Sequence, residues 1–339
     1  MTVRLLPWAP EYGTSMQFDA DEGARGEGSP RVDVDTTVEQ ASWAAVRASG
    51  EAPSTVQVVD GVRRAEAHAL EDGPGGEPLF GLFGSYAVGA VRLEGGRARI
   101  LEDAVRVERR YFQAGGEPSD RVFNVGGHAM SFRAEVRPEA TTANGLVDAL
   151  NRAMLDEESK LAESLSRDES ALTLVDGPLR SLRSPGRRAV GYVKRVVHWY
   201  VSPEAQRLLP RLEVGERTPL FRLDDAADLG RPGRTSWFLR IADLGASWHP
   251  LGGIMRLEVP GGLPIAEAVA LADQSAIVLP RLASSPHRDP RAPQNLTPVG
   301  ALEEALTHRL GDRLWVRRLI TAHVAEAERA SWALPGAVR

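Results

Sequence analysis

The chain of 339 residues contains no cysteine, which excludes disulfide bonds, catalytic thiolates and metal sites with cysteine ligands. Lysine is almost absent as well, since Lys160 and Lys194 are the two lysines of the sequence and the other basic residues are arginines. No apolar run approaches the length of about 18 residues that a membrane-spanning helix needs. The N-terminal stretch MTVRLLPWAPEYG is too short and too interrupted by proline for a signal peptide. We therefore expect a cytoplasmic protein without a membrane segment, in which any metal ion has oxygen or histidine ligands.

Two nucleotide-binding motifs, GxxxxGK[ST] and GxGxxG, are also missing, so the chain by itself should neither hydrolyse ATP nor bind a dinucleotide. The seven histidines show none of the spacings that indicate zinc. A net charge of -5 excludes a strongly basic protein that coats nucleic acid. Positive charge is nevertheless concentrated in residues 180–217, which contain nine basic and three acidic side chains. This pattern fits either a solvated surface or a contact zone for backbone phosphates.

Apolar residues make up 42% of the chain, enough for a substantial core. Alternating and β-branched runs predict strands, and apolar residues at three- and four-residue steps predict helices. Glu94-Gly95-Gly96 lies between two strand-like runs and predicts a tight hairpin within an antiparallel meander. The predicted strands cover residues 55–60, 79–93, 97–111, 171–176, 188–197, 235–241 and 253–259, and the predicted helices cover residues 38–49, 144–166, 265–282, 299–310 and 313–330.

Two of the predicted strands end in Asp-Gly, at Asp60 and at Asp176. Asp-Gly is an ordinary turn dipeptide, but two matched strand ends in one sheet would bring two carboxylates together. Such a pair repels unless a cation lies between its members, and carboxylate clusters hold Mg²⁺ or Mn²⁺ against phosphate oxygens. The pattern therefore indicates a site for metal-dependent phosphodiester hydrolysis.

Two predicted helices offer further acids for such a site. On the helix over residues 144–166, Glu157 and Glu158 lie on opposite sides of the apolar stripe, so one of them points along the face that packs on the sheet. An acidic group there either reaches the edge of the helix or completes a metal site. Asp273 lies at the edge of the apolar face of a later helix. It becomes a candidate site residue as the last of four acids, which lie in the order strand, helix, strand, helix.

This order of acids resembles the ribonuclease H-like fold, in which three antiparallel strands, a helix, a fourth strand and a late helix carry the site. Several short runs, taken in order, also resemble the NurA nuclease family. The resemblance extends over about residues 50 to 330. The runs are Val58–Arg64, Leu174–Leu179, Val190–Arg195, Arg217–Leu220, Trp237–Arg240, Gly253–Glu258, Leu271–Asp273, Ala292–Leu296 and Leu302-Glu303.

The resemblance implies a DNA nuclease that depends on divalent metal, with Mn²⁺ usually favoured over Mg²⁺ and two ions in the site. It also implies a homodimer that processes DNA ends with a hexameric HerA-type ATPase, in double-strand break repair or in defence against foreign DNA. The family's catalytic acids fall on Asp60, Asp176, Asp273 and either Glu157 or Glu158, of which Glu158 is preferred. Where many members carry a histidine, this chain has Asp273, which keeps an oxygen ligand but removes an imidazole.

The expected contacts to DNA are basic. Lys194 would hold a phosphate as a point charge. Further contacts to the DNA backbone are expected from Arg63, Arg64, Arg187, Arg188 and Arg195.

The expected fold class is α/β, a ribonuclease H-like mixed sheet with flanking helices, an inserted Arg-rich subdomain and a helical C-terminal extension. An N-terminal extension of loop and helix would cover residues 1–50, and the nuclease domain residues 51–283 with an insertion at about residues 201–234. A connector and C-terminal helices would cover residues 284–339.

Two other functions fit the same residues. One is a catalytically weak DNA-binding or docking subunit of a translocase complex, and the other is a different ribonuclease H-like nuclease, such as a resolvase or an RNA-directed hydrolase. Loss of Mn²⁺-dependent cleavage with retained DNA binding in Asp60→Ala would favour the nuclease over the docking subunit. Comparison of linear, branched and RNA–DNA hybrid substrates would separate the two nucleases.

Overall fold

The computed structural model describes residues 3–5, 32–125, 127–179, 188–194, 196, 198–225, 233–246, 248–285 and 292–333. In chain order the strands are β1 (Val3–Leu5), β2 (Val32–Asp35), β3 (Val46–Arg47), β4 (Thr55–Asp72), β5 (Pro78–Glu94), β6 (Arg97–Ile100), β7 (Arg106–Gln113), β8 (Arg121–Val125), β9 (His128–Val136), β10 (Ala171–Asp176), β11 (Ala189–Val193), β12 (Glu216–Arg217), β13 (Phe221–Asp225), β14 (Arg234–Arg240) and β15 (Ile254–Pro260). The helices are α1 (Ala143–Leu165), α2 (Pro203–Gln206), α3 (Ile265–Leu282), α4 (Thr297–Arg309) and α5 (Arg313–Ala333).

The strands form a mixed sheet whose main path has the order β2-β13-β14-β15-β11-β10-β4-β5-β7-β9-β8. At its centre, β4, β5 and β7 are antiparallel neighbours. On the other side of β4, β10 runs parallel to β4 and β11 runs parallel to β10. Helix α1 lies in the chain between the antiparallel meander and β10, which is the ribonuclease H arrangement. The predicted α/β fold with a mixed sheet, flanking helices and a helical C-terminal extension is confirmed.

Strand β4 is longer than the sequence predicted. The run was expected to end in a turn at Asp60-Gly61, but β4 extends over 18 residues and pairs with β5 along its whole length. The predicted strand end at Asp60 is therefore wrong, because pairing with β5 outweighs the local turn preference of Asp-Gly. The predicted hairpin at the far end of β5 is confirmed. Its Gly95 and Gly96 have φ angles of 57° and 73°, as a tight type I′ turn requires.

The helix predicted over residues 38–49 is wrong, since the structure describes this segment without a helix. The segment begins after β2, which pairs with β13, and it contains β3, which pairs with β12. Just after β2, the N–H and the hydroxyl of Thr37 donate to Asp35 Oδ1 at 2.8 and 2.6 Å. Such local bonds compete with a helical start. Both partner strands come from beyond residue 201, so the N-terminal segment and the predicted insertion extend the sheet together.

The remaining predicted elements are present, with ends shifted by a few residues. The run over residues 97–111 is divided into β6 and β7 by a short 3-10 turn at Glu102–Ala104. The hairpin of β8 and β9 was not predicted. No helix in the described ranges combines the length and the apolar composition that crossing a membrane would require.

Helices cover both faces of the central sheet. Val58 of β4 packs in a core cluster with residues of α3 and α4, whereas the next residue, Val59, packs with Ala162 of α1. Because side chains alternate along a strand, Asp60 points to the side of α3 and α4 and position 61 faces α1. The site described below is built at this point of β4, from both faces.

Candidate active site

Asp60 and Asp176 meet where β10 ends beside β4. The parallel ladder runs up to Val175 opposite Val59, so the next residues on these neighbouring strands are Asp176 and Asp60. Asp60 is only 4% exposed, and its Oδ2 has no hydrogen-bond partner in the described structure. Burial raises the pKa of Asp60 well above its ordinary value, and the negative charges of Asp176 and Glu158 raise it further.

Glu158 reaches the same point from α1. Its carboxylate accepts the backbone N–H of Gly61, and a Cβ atom at position 61 would lie 2.5 Å from Glu158 Oε1, so any larger residue there would displace this carboxylate. Burial, followed by the charge of Asp176, raises the pKa of Glu158 to about 8. Glu157 points elsewhere and pairs with Lys160 at 2.5 Å. Of the two glutamates that the sequence left open, the structure places Glu158 in the acidic cluster.

Lys194 supplies positive charge to this cluster. Its Nζ lies 2.5 Å from Asp176 Oδ2 and donates to Asn295 Oδ1 at 2.9 Å. Burial alone would lower the pKa of Lys194, but the charges of Asp176 and Asp60 outweigh burial and raise that pKa above its ordinary value. The Lys194 ammonium also lies 5.9 Å from the ring centroid of the buried Tyr192. The lysine predicted to contact phosphate therefore lies among the acids themselves.

A fourth acid, Glu303, comes from α4 and was not predicted as a site residue. It is half-buried, and its negative charge raises the pKa of both Asp60 and Lys194. A signal was present in the sequence, because Val299 and Leu302 define the buried face of α4 and Glu303 follows directly beside it. The four acids, defined here as the acidic cluster, are Asp60, Glu158, Asp176 and Glu303.

Two arginines hold the end of α4 that follows Glu303. Arg64 donates to the carbonyl oxygens of Leu310 and Gly311 at 3.2 and 2.9 Å, and Arg109 donates to that of Leu310 at 3.1 Å. Cationic groups on the last carbonyls of a helix stabilise its C-terminus. Arg64 was predicted to contact DNA, but its guanidinium is committed to fastening α4 to the sheet.

Asp273 lies apart from the acidic cluster, so its prediction as a metal ligand is wrong. It is 5% exposed, and its Oδ1 accepts a hydrogen bond from Arg217 at 2.8 Å. Its Oδ2 accepts the backbone N–H and the hydroxyl of Ser49 at 3.1 and 2.9 Å. Arg217 also pairs with Glu39 at 2.8 Å. The sequence placed Asp273 correctly on a buried face of a helix, but the partner on that face is an arginine from β12.

The other predicted DNA contacts divide into three groups. Arg63 lies near the acidic cluster, where its charge lowers the pKa of Glu158 against the effect of burial. Arg188 donates to Gln274 Oε1 at 2.8 Å and to the carbonyl oxygen of Ala171 at 3.1 Å, so it fastens the start of β11. Arg187 and Arg195 lie outside the described residues.

The donor set suits a hard divalent cation. Carboxylate oxygens are the ligands that Mg²⁺ and Mn²⁺ prefer, and a cation would relieve the repulsion that raises the pKa of Asp60 and of Glu158. The buried Asp60 Oδ2, which lacks a partner in the described structure, also fits such an ion. Within the described ranges, however, no three His, Asp or Glu side chains already stand as a formed ligand set. Lys194 supplies the neutralising charge at Asp176 instead.

Glu258 belongs to a different charged group, which ties β15 to the chain after β10. Its carboxylate is fully buried, lies 2.5 Å from Arg256 and 3.1 Å from Arg234, and accepts the N–H of Leu179 at 2.8 Å. Burial alone would raise the pKa of Glu258. The two arginines and this N–H outweigh burial and hold that pKa below its ordinary value.

We expect Glu258 to make the fold sensitive to acid. A carboxyl whose pKa is lower in the folded chain stabilises the fold above its ordinary value of 4.5 and loses this contribution as the pH falls. Glu258→Gln should lower the free energy of unfolding at neutral pH by about 3–5 kcal/mol. The variant should also lose less stability than the wild type between about pH 5 and pH 3. Urea unfolding followed by circular dichroism measures both effects.

The exposed Glu304 of α4 offers the matched control, Glu304→Gln. This variant should unfold like the wild type at both pH values, since surface substitutions change stability little. An equal acid response in wild type and Glu258→Gln would contradict the role given to this carboxylate.

Comparison with known proteins identifies the family of this chain. The sequence model of the NurA domain matches residues 72–299, more than half of the chain. Asp60 and Glu303 lie outside this span, so their assignment to the acidic cluster rests on the structure and not on the family match. No curated protein was found to match. Among solved structures, the chain is similar to the NurA nuclease from Sulfolobus solfataricus, with 9% identity, a TM-score of 0.46, and coverage of 86% of this chain and 89% of that chain. On the strength of the domain match, the chain belongs to the NurA family.

Proposed function

We propose that this protein is a nuclease that hydrolyses the phosphodiester bonds of DNA with the help of a divalent metal. The observation that carries the proposal is the convergence of the buried Asp60 and Glu158 with the partly exposed Asp176, with Glu303 beside them. Burying mutually repelling acids is costly, so a fold that does so without a binding or catalytic use would sacrifice stability. Membership of the NurA family supports the same conclusion.

The residues of the acidic cluster take distinct roles in this proposal. Asp60, Glu158 and Asp176 would hold one or two ions, and Glu303 would take the place that the sequence assigned to Asp273. A bound Mn²⁺ or Mg²⁺ would supply Lewis acidity and a bound water of lowered pKa. Lys194 would turn from Asp176 to the phosphate and balance the charge of the phosphate oxygens.

For partners we propose DNA, a second copy of the chain and a hexameric HerA-type ATPase. The family resemblance supports these partners. The sequence supports the ATPase alone, because a chain without a P-loop motif needs another protein to drive movement along DNA. The process would be the trimming of DNA ends in the cytoplasm, in double-strand break repair or in defence against foreign DNA.

For the organisation of the chain we propose a nuclease unit over residues 51–283 that is completed by α4. A unit that stopped at residue 283 would lack Glu303 and the Asn295 partner of Lys194. The N-terminal segment and the insertion at about residues 201–234 would serve this unit as an added edge of the sheet.

A second candidate function is a docking or DNA-binding subunit with weak catalysis. The contact between Lys194 and Asp176 favours it, since an ammonium at this carboxylate competes with a metal ion. The two functions differ in whether the wild-type protein cleaves DNA with any divalent metal.

The test is cleavage of end-labelled linear duplex by the full chain with Mn²⁺, with Mg²⁺ and with a chelator, followed by branched DNA and RNA–DNA hybrid. We expect cleavage of DNA with Mn²⁺ and none with the chelator. A thermal-shift titration should show that Mn²⁺ raises the unfolding temperature, because an ion that binds the native state stabilises it.

Neighbouring glutamates on α4 provide a matched pair of variants. Glu303→Gln should lower the cleavage rate by about 10²-fold, whereas Glu304→Gln should leave it unchanged, because Glu304 is exposed to solvent. Absence of cleavage by the wild type under every metal, with DNA still bound, would overturn the nuclease in favour of the docking subunit.

A further inference from the structure

The hairpin of β8 and β9 leaves an opening in the sheet, remote in the chain from the acidic cluster. Strands β7 and β9 run parallel and pair only from Arg110 opposite Arg133 to Gln113 opposite Val136. Before that point the two strands separate and enclose a cleft of about 460 Å³. The β7–β9 cleft is lined by Val107, Glu108, Arg109, Ala129, Met130, Ser131 and Arg133.

On the β7 side, backbone groups face into this cleft. Ala114, in register with β5, donates its N–H to Phe80, so the even-numbered residues of β7 bond to β5. Gln113 accepts the N–H of Arg137 on the opposite side. By the alternation of an antiparallel ladder, the N–H and C=O groups of Val107 and the N–H of Arg109 point toward β9 beyond the last pair of the β7–β9 ladder, whereas the C=O of Arg109 belongs to that last pair, Arg110 opposite Arg133.

The β9 side presents the same kind of edge. Strand β9 pairs with β8 along its outer side. There the N–H of Ala134 donates to Asp120 Oδ1 at 2.8 Å, so even-numbered residues of β9 face β8. The backbone groups of Ala129 and Ser131 therefore face the cleft. Two strand edges with donors and acceptors thus border the same space, and such edges are templates for a further strand.

Positive charge surrounds the cleft. Arg133 has a 60% exposed side chain, and Arg106 is exposed at the start of β7. Arg109 also lines the cleft, although its guanidinium donates to the carbonyl oxygen of Leu310 at 3.1 Å. The single acid among the lining residues, Glu108, pairs with Arg110 at 3.3 Å and with Arg133 at 3.8 Å, so the arginines outnumber it. The cleft therefore favours an occupant with negative charge.

We propose that the β7–β9 cleft binds an extended acidic peptide of a partner protein, which adds a strand to the edge formed by Val107 and Arg109. Main-chain hydrogen bonds would provide affinity, and Arg133 would select acidic side chains. A nucleic acid fits this edge less well, because a phosphate backbone offers acceptors but no donors to the strand's carbonyl oxygens. The function proposed above does not depend on this site.

The test uses fluorescein-labelled ten-residue peptides in which Asp or Glu alternates with Val or Thr, and fluorescence anisotropy with the full chain. We expect saturable binding that Arg133→Glu weakens by at least about tenfold, since it replaces attraction by repulsion. The matched variant Arg97→Glu, at an exposed arginine of β6, should bind as the wild type does. Thermal unfolding of both variants checks that the fold is kept.

Two further probes separate the alternatives. Peptides methylated at alternate backbone nitrogens should lose binding, because they cannot donate to the strand edge, and peptides with Lys in place of the acids should not bind. Equal binding of methylated peptides would overturn strand addition. Failure of every acidic peptide to bind, or Arg133-dependent binding of a single-stranded oligonucleotide alone, would overturn the peptide site.

Discussion

Replacement of Asp60 by Asn is expected to lower the rate of Mn²⁺-dependent DNA cleavage by about 10³-fold, because loss of a bound metal or its misplacement costs several kcal/mol of activation free energy. The same change should stabilise the metal-free protein at neutral pH. Asp60 is buried among like charges that raise its pKa, and a neutral amide removes this repulsion. Initial rates on end-labelled duplex and thermal unfolding without metal measure the two effects, which have opposite signs.

Asp273→Asn is the matched control for this prediction, since it makes the same chemical change at another buried aspartate. It should lose stability, because Arg217 loses a charged partner, while the rate per folded molecule stays within a few-fold of the wild type. Retained cleavage in Asp60→Asn, or a comparable loss of rate in folded Asp273→Asn, would contradict the assignment of the acidic cluster.

Replacement of Arg217 by Met is expected to lower the free energy of unfolding by about 3–5 kcal/mol. Arg217 is fully buried and binds Asp273 and Glu39, each at 2.8 Å. Met fills similar space but leaves two carboxylates without a counter-charge. Since Glu39 also accepts the N–H of Leu220, the loss should spread to the pairing of the N-terminal segment with the insertion. Urea unfolding measures the free energy.

The control is Arg47→Met, on the neighbouring strand β3. Arg47 pairs with Glu213 and Glu216, but 75% of its side chain is exposed, so the variant should lose less than about 1 kcal/mol. Equal losses for the two variants would show that burial does not govern the strength of these ion pairs.

Most of the order of helices and strands along the chain could be predicted from the periodicity of apolar residues, but the length of β4 could not. Asp60-Gly61 favours a turn locally, and the opposing preference comes from β5, whose pairing with β4 is a tertiary effect. The same reason explains the missing helix at residues 38–49. There β3 pairs with β12, which lies about half the chain away in sequence.

The acidic cluster could be predicted in part. Asp60 and Asp176 stood out because each follows a buried strand run, and Glu158 because an acid lies beside an apolar stripe. Asp273 met the same criterion as Glu158 and is nevertheless paired with Arg217, since the face of a helix does not reveal which side chain lies opposite. Glu303 follows the buried face of α4 directly, but nothing in the sequence shows that its neighbour in space is Asp60.

The contact between Lys194 and Asp176 has a consequence for how the molecule matures. Small zinc-binding domains stay unfolded until their ion arrives, because the free energy of metal binding supplies their free energy of folding. Here a tethered ammonium serves as an internal counter-ion, so the chain can complete its fold in a cell depleted of free metal. The metal ion proposed above would then enter a site that is already folded.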